Sequence, residues 1–461
     1  MLESVRFSAP LPSVRDPYGT GTERDGQPAE AILACAAAVV RDRDNPEHRH
    51  RLQDLIAGVR RPEGSVRPGH SVVFLGQAYY HFYYLAAALR RRGWDAVLVS
   101  FEDPRGPNAP FYHGDDLNFY SPSVAVMAQI MRAVTEQIGR RFSVVHSMGL
   151  TVTAYHGNGL LDVDHDGLVD LARQRNASVV WSPSGCLEGI RQSVFNAWSG
   201  GACDRCVWQT EPFRCSDDAN IARARPYAGT TVIDVGCDAA LDLFATDNAF
   251  HEPLSYCLDP DVWNPDLAIP DDLTVPRRPG EILVYHAVGN AHIREQKGRS
   301  IKGTPAVLAA VDRLRGEGLD ISLIPVPLNT PNLRVRHLMA QADIVVDQLN
   351  YGRWGATARE ALMLGKPVVC NINADNGSNS PSQALSDHPL IHATEDTVCA
   401  VLRDLACNPA ARAKAGAAGR AYALRWYASD ACAARYEALL DHVAAGGTVR
   451  TAPLTPVGVA P

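Results

Sequence analysis

Residues 343–370 read D-I-V-V-D-Q-L-N-Y-G-R-W-G-A-T-A-R-E-A-L-M-L-G-K-P-V-V-C, and these residue types suit the holding of a phosphate and a sugar. The apolar run Ile344, Val345, Val346 predicts a strand, and Gly352 and Gly355 punctuate the turn after it. A helix follows and stops at Gly365, and Lys366-Pro367 leads into a second apolar run, Val368 and Val369. A helix start at the end of a strand presents bare backbone amides and the positive end of the helix dipole, both of which attract an anion. Glu360, about one turn inside the helix, can accept hydrogen bonds from sugar hydroxyls. Together these suit a nucleoside diphosphate with its ribose. The plainer alternative is one more βαβ unit of an open sheet.

A second segment favours the site. Residues 281–304 read E-I-L-V-Y-H-A-V-G-N-A-H-I-R-E-Q-K-G-R-S-I-K-G-T. A strand ends in a polar loop carrying His286, Gly289, Asn290, Arg294, Arg299 and Lys302, and a helix starts near Thr304 with Pro305 in its first turn. Cations gathered at the end of a parallel strand need an anion or water, so the alternatives are a diphosphate and a solvated basic loop.

These two stretches resemble the C-terminal domain of GT-B glycosyltransferases, most closely the large retaining group that includes bacterial polysaccharide and mannosyl transferases. H-A-x-G-N…R…I-K-G-T is similar to that group's donor-phosphate loop, and Y-G-R-W-G-A-T-A-R-E-A-L-M-L-G-K-P-V to its donor-ribose helix. The resemblance spans nearly all of residues 280–445 and, more weakly, 70–265. It implies that Arg299 and Lys302 hold the diphosphate, that Gly355, Ala356 and Thr357 present amides to it, and that Glu360 takes the ribose hydroxyls. The donor-binding set it implies also includes His286, Gly289, Asn290, Arg294, Gly303 and Tyr351. It further implies a retaining transfer with electrostatic catalysis by Arg299, Lys302 and Glu360, with no catalytic metal.

The chain departs from the group at two positions. The group's second glutamate, eight positions before Glu360, would fall at Gly352, and the His that precedes a glycine in the N-terminal half would fall at Ser184. Asp347 or backbone amides are the candidates to replace the missing carboxylate. Two rival readings follow: a non-catalytic nucleotide-sugar-binding partner subunit, and a sugar-nucleotide epimerase on the same fold. No acid/base set for the second is assignable.

Of eleven cysteines, four are grouped: Cys186, Cys203, Cys206 and Cys215. Cys203-Asp-Arg-Cys206 is a C-x2-C knuckle in a stretch with little apolar periodicity. Four thiolates at this spacing suit a structural Zn²⁺, whose binding would supply ordering energy, and leave no open position for catalysis. A reactive pair and plain reduced thiols are the alternatives. Without a signal peptide, disulfides are not expected.

In the N-terminal half, Gly76, Gln77 and Tyr79 follow the first predicted strand, where a glycine lets backbone approach a ligand; the resembled group uses this loop near acceptor or diphosphate. His146 ends a predicted strand facing the expected cleft, as a sugar-contacting or proton-relay residue or as a structural histidine. Asp162, Asp164 and Asp166 lack the later glutamate of a calcium loop and read as a helix N-terminal region.

The elements that must position these residues form an alternation of short apolar strands and amphipathic helices. Expected strands cover 71–75, 95–101, 142–146, 178–181 and 230–235, then 282–285, 321–326, 344–346 and 367–371. Expected helices include 83–92, 123–140, 168–175, a short one from Asp238, 304–317, 332–341 and 356–364. The fold class is α/β: a GT-B architecture of two Rossmann-like doubly wound domains with a cleft between them, plus a Cys-rich insertion, 186–215. The expected division is a partly helical extension (1–64), an acceptor domain (65–262), a Pro-rich linker (263–280), a nucleotide-sugar domain (281–427), a helix crossing back (428–446) and a disordered tail (447–461).

The 461 residues suffice for two cores, and a net charge of −7 argues against a nucleic-acid partner. No apolar run reaches the length of a membrane span, so a cytoplasmic location is expected, with peripheral membrane contact left open. The sugar, base, acceptor (polysaccharide, glycolipid or secondary metabolite) and oligomeric state are not legible.

Overall fold

The computed structural model describes residues 27–76, 79–100, 103–106, 109–149, 165–183, 185–204, 206, 208–236, 242, 247–289, 300–327, 330–373 and 382–452. Gln77, Ser184, Asn290, Arg294, Arg299, Asp162, Asp164 and the helix expected from Asp238 lie outside these residues.

The first sheet contains β1 (Ser71–Leu75), β2 (Asp95–Ser100), β3 (Leu117–Asn118), β4 (Val144–Met148), β5 (Ser178–Ser182), β6 (Val232–Asp234) and β7 (Ala249–Phe250), in the order β3-β2-β1-β4-β5-β6-β7. The second contains β8 (Ile282–Tyr285), β9 (Ile321–Leu323), β10 (Ile344–Val346), β11 (Val368–Cys370) and β12 (Ile391–His392), in the order β12-β11-β10-β8-β9. Every pairing in both sheets is parallel. β1, β2, β4 and β8 are buried along their whole length, so both faces are covered and the runs are continuously apolar rather than alternating. The strand order reverses between β1 and β4 and between β8 and β10, and ligands of such sheets bind outside the carboxyl ends at these reversals.

The expected two doubly wound sheets are therefore observed, with local differences. The helix expected over 123–140 runs only Val124–Thr135, because the next residues turn through Gly139 (φ 74) into an isolated bridge, Ile138 to Phe142. β9 stops at Leu323, ahead of Pro325 and Pro327, which have no amide to donate to a ladder. β3, β7 and β12, two residues each, carry no sequence pattern. Residues 263–280 are largely irregular, with a 3-10 turn at Asp271–Leu273, but Trp263 is fully buried. The tail expected to be disordered begins with a 3-10 turn, Val449–Thr451, whose Val449 is buried.

The helix Ser429–Ala444 packs against the helix His81–Arg91 of the first half. Its Tyr436 ring stacks on His146 and meets Phe74 and Trp94. Its Glu437 accepts hydrogen bonds from Arg67, Arg92 and the Trp94 indole. Leu258 and Tyr427–Ser429 are joined by two backbone bonds, Leu258 N to Tyr427 O (2.7 Å) and Ser429 N to Leu258 O (2.8 Å), so both crossings between halves lie side by side.

Candidate functional site

The carboxyl ends of β8 and β10 bring together His286, Lys302, Asp347 and the helix Ala356–Met363. Asp347 follows β10 and is fully buried; it pairs with the Lys302 ammonium and accepts the Gly355 amide at 2.9 Å. One carboxylate thus fixes both a cation and the start of the helix. Gly303, next to Lys302, caps the helix Thr304–Gly316 in the left-handed region (φ 71), and a Cβ there would stand 2.8 Å from the Leu349 Cβ. Only glycine fits both demands. His286 bonds the Val346 carbonyl through Nδ1 (3.1 Å) and Thr304 Oγ1 through Nε2 (2.9 Å). Burial holds this imidazole down to about 4, so it is neutral and rigidly placed. Gly289 closes the described part of this loop.

The amides of Ala356 and Thr357 lie in the first turn of their helix, beyond reach of any intrahelical carbonyl. Glu360 stands one turn further on, 4% exposed. Its Oε1 accepts the Tyr80 hydroxyl from the first half and the Asn332 amide at 3.0 Å. Asn332 in turn bonds His113 Nε2 at 2.8 Å, and His113 Nδ1 meets the Tyr84 hydroxyl at 2.7 Å. A buried circuit of five side chains thus joins the halves at the expected ribose carboxylate. Burial raises Glu360 to about 7, although the Tyr80 and Asn332 bonds and the nearby Arg359 guanidinium oppose the rise.

Gly352 takes φ 68, and a Cβ there would lie 3.3 Å from the Trp198 ring of the first half. Tyr351 sits edge-on to Phe195 at 5.1 Å, and the Asn373 amide donates to the Trp198 carbonyl. The helix Gln192–Trp198 therefore covers the place where the resembled group has its second glutamate.

On the first sheet, Gly76 (φ 82) donates to Val99 O at 2.9 Å, turning the chain sharply off β1. Tyr79 takes φ 61 and meets Phe111 edge-on. His146 lies inside the core, fully buried rather than facing the cleft, with Nε2 2.7 Å from Ser182 Oγ and its ring among Phe74, Phe82 and Tyr436. Ser182 continues to the buried Asp234 carboxylate at 2.9 Å. The hydroxyl stands between His and Asp, so the three do not form a nucleophile–base–orienter relay. Burial keeps His146 uncharged.

Of the four grouped cysteines, Cys203 and Cys206 form a turn, Cys206 N to Cys203 O, 3.0 Å. The Asn220 amide lies 3.4 Å from Cys186 O and 3.7 Å from Cys215 Sγ, bringing the outer pair together. Burial pushes the Cys215 thiol up, and the thiols of Cys186 and Cys206 push the same way. Elsewhere, His70, Glu437 and Asp441 bring three ligand atoms within 4.8 Å of one another.

Sequence reasoning missed Tyr80 in this role, His113, Asn332, Arg353 and Arg359. The buried Arg359 guanidinium lies 4.5 Å over Tyr256 and 5.8 Å from Tyr427, and Arg353 lies 5.9 Å over Tyr351. Both arginines stand in the segment already singled out, so a cation beside the turn expected to meet a phosphate was the available signal. Tyr80 and Glu360 are 280 positions apart, and nothing local announces their contact.

No family model and no curated protein matches this chain. The solved structures similar to it include glycosyltransferases and epimerases of the GT-B fold. Sucrose-phosphate synthase from Thermosynechococcus elongatus is 13% identical, with TM-score 0.49, over 82% of this chain and 100% of that one. Anabaena HepE in complex with UDP-glucose is 11% identical, with TM-score 0.48, over 82% and 99%. The UDP-GlcNAc 2-epimerase from Neisseria meningitidis bound to UDP-GlcNAc is 12% identical, with TM-score 0.46, over 80% and 99%. With every one of these TM-scores below 0.5, the likenesses assign this chain neither a family nor an activity.

Proposed function

We propose that the chain is a GT-B glycosyltransferase that moves a sugar from a nucleoside-diphosphate donor to an acceptor held mainly by the first half. The observation that carries this reading is one constellation at the β8/β10 reversal: Lys302 fixed by Asp347, a helix start at Ala356 and Thr357, and Glu360 one turn inside. The diphosphate would meet Lys302 and the first-turn amides, with Arg299 from the preceding loop, and the ribose would meet Glu360. The departing diphosphate gathers negative charge as the glycosidic bond breaks, and preorganised cations and amides stabilise that charge. Asp347 keeps the ammonium in place, so little reorganisation is needed. Transfer with retention follows from the resemblance, and a cytoplasmic location fits the lack of any membrane-spanning helix among the described residues.

A second reading, a non-catalytic nucleotide-sugar-binding partner, is favoured by one observation: Trp198 packs where the resembled group has a glutamate. Thermal-shift and mass-spectrometric screening of UDP-, GDP-, ADP- and dTDP-sugars separates the two. One preferred nucleotide with slow donor hydrolysis supports the transferase; tight binding without turnover, even with acceptor extracts, supports the partner. No binding sinks both.

The cysteine group is read as a structural Zn²⁺ site, with Cys186, Cys203, Cys206 and Cys215 as ligands. The knuckle turn and the Asn220 clamp support it. Elemental analysis of protein purified without chelator tests it: about one zinc per chain is expected, and a ratio near zero removes the site.

A further inference from the structure

We propose that the Tyr80 hydroxyl competes with the donor nucleotide for Glu360. The inference rests on the reading of Glu360 as the ribose-binding carboxylate. The phenol donates to Oε1, the oxygen that also receives Asn332, so that oxygen already has two donors. A ribose hydroxyl offers the same group, an O–H aimed at a carboxylate. Glu360 and the Tyr80 that bonds it are both buried, so a nucleotide would reach the carboxylate by taking the phenol's place.

The surroundings of Tyr80 are built to hold it there while allowing release. Its ring stacks on His113 at 4.5 Å and tilts against Trp263 at 4.7 Å, apolar faces that survive the loss of one hydrogen bond. Just before it, Tyr79 sits at φ 61, one of three non-glycine residues with positive φ among the described residues. Such a conformation is costly for a bulky side chain and persists where surrounding contacts enforce it. Withdrawal of Tyr80 would let Tyr79 relax, which offsets part of the lost bond. Because Tyr80 belongs to the first half and Glu360 to the second, donor entry is coupled to separation of the halves.

Titration of UDP, GDP, ADP and dTDP into the full chain, Tyr80→Phe, Glu360→Gln and the double variant tests this. Tyr80→Phe is expected to bind the preferred nucleotide on the order of tenfold more tightly, the worth of one hydrogen bond. The gain should vanish in the Glu360→Gln background. Tyr422→Phe, which removes a buried hydroxyl bonded to the Ala384 carbonyl rather than to Glu360, should leave affinity unchanged. If Tyr80→Phe does not fold, Tyr80→Leu replaces it. Unchanged or weaker binding by the folded Tyr80 variant overturns the competition while leaving the donor site intact. Full-strength binding by Glu360→Gln removes the ribose reading and the competition together, as does the absence of binding by every variant.

Discussion

Lys302 and Asp347 form an ion pair almost entirely removed from water, with side chains 3% and 0% exposed. Such a pair is sensitive to losing one member, because the other is left buried and charged; the cost is about 3–5 kcal/mol. Lys302→Met should therefore lower stability in urea by that order as well as weaken nucleotide binding. Asp347→Asn should lose stability too and loosen the Gly355 amide. A Lys302→Met protein with the wild-type urea midpoint would show that the pair is not formed in solution.

Gly352→Ala tests why a glycine stands where the resembled group has a glutamate. The left-handed conformation costs an alanine about 1–2 kcal/mol, and the added Cβ presses on Trp198. A loss of this size in thermal unfolding is expected, with part of the loss recovered in a Trp198→Ala background. Equal effects in both backgrounds would mean that the indole is not the obstacle.

Glu252 is a second buried tie between the halves: its carboxylate accepts from Ser382 Oγ (3.2 Å), Gln383 N (2.6 Å) and Ala384 N (3.0 Å). Burial raises its proton affinity, against those three bonds. Glu252→Leu should cost about 1–3 kcal/mol by orphaning these donors and speed proteolysis around residues 382–386. An unchanged digestion pattern and midpoint would refute the tie.

Stability should fall as pH drops below 6.5. Burial holds His81 and His113 down to about 3, and His286 and His251 to about 4. Their folded values lie below the ordinary 6.5, so the unfolded chain takes up protons first and stability is lost from pH 6.5 towards about 3. Glu360, held up to about 7, acts in the opposite sense: its contribution is full below pH 4.5 and is lost as pH rises to about 7. Urea midpoints at pH 5 and 7 should show the acid loss, and Glu360→Gln should steepen it. A midpoint that rises on acidification would contradict the buried neutral histidines.

Much of the scaffold was legible because parallel strands buried on both faces write continuous apolar runs, as V-V-F-L and I-L-V-Y do here. The helix start at Gly355 and the cation at Lys302 were legible for the same reason: glycine and charge in a loop ask for a local explanation. What the residues then touch was not. The Asp347 carboxylate could be guessed as a substitute for a missing glutamate, but its grip on Lys302 depends on how two loops fold together. His146 misled because a histidine at a strand end looks the same whether the next layer is solvent or Tyr436. Tyr80 could not be singled out, because the carboxylate its hydroxyl meets lies 280 positions away in the opposite half.

Tyr436 also bears on the order in which this chain can mature. Its ring completes the packing of Phe74 and His146 in the first half, yet it follows the whole second sheet in the chain. The first half therefore emerges with a place in its core unfilled, beside a buried histidine, and waits for the whole second half to be made. The helix Ser429–Ala444 returns to residues translated long before it, so a chain truncated before Ser429 would lose the integrity of its first half as well as its second.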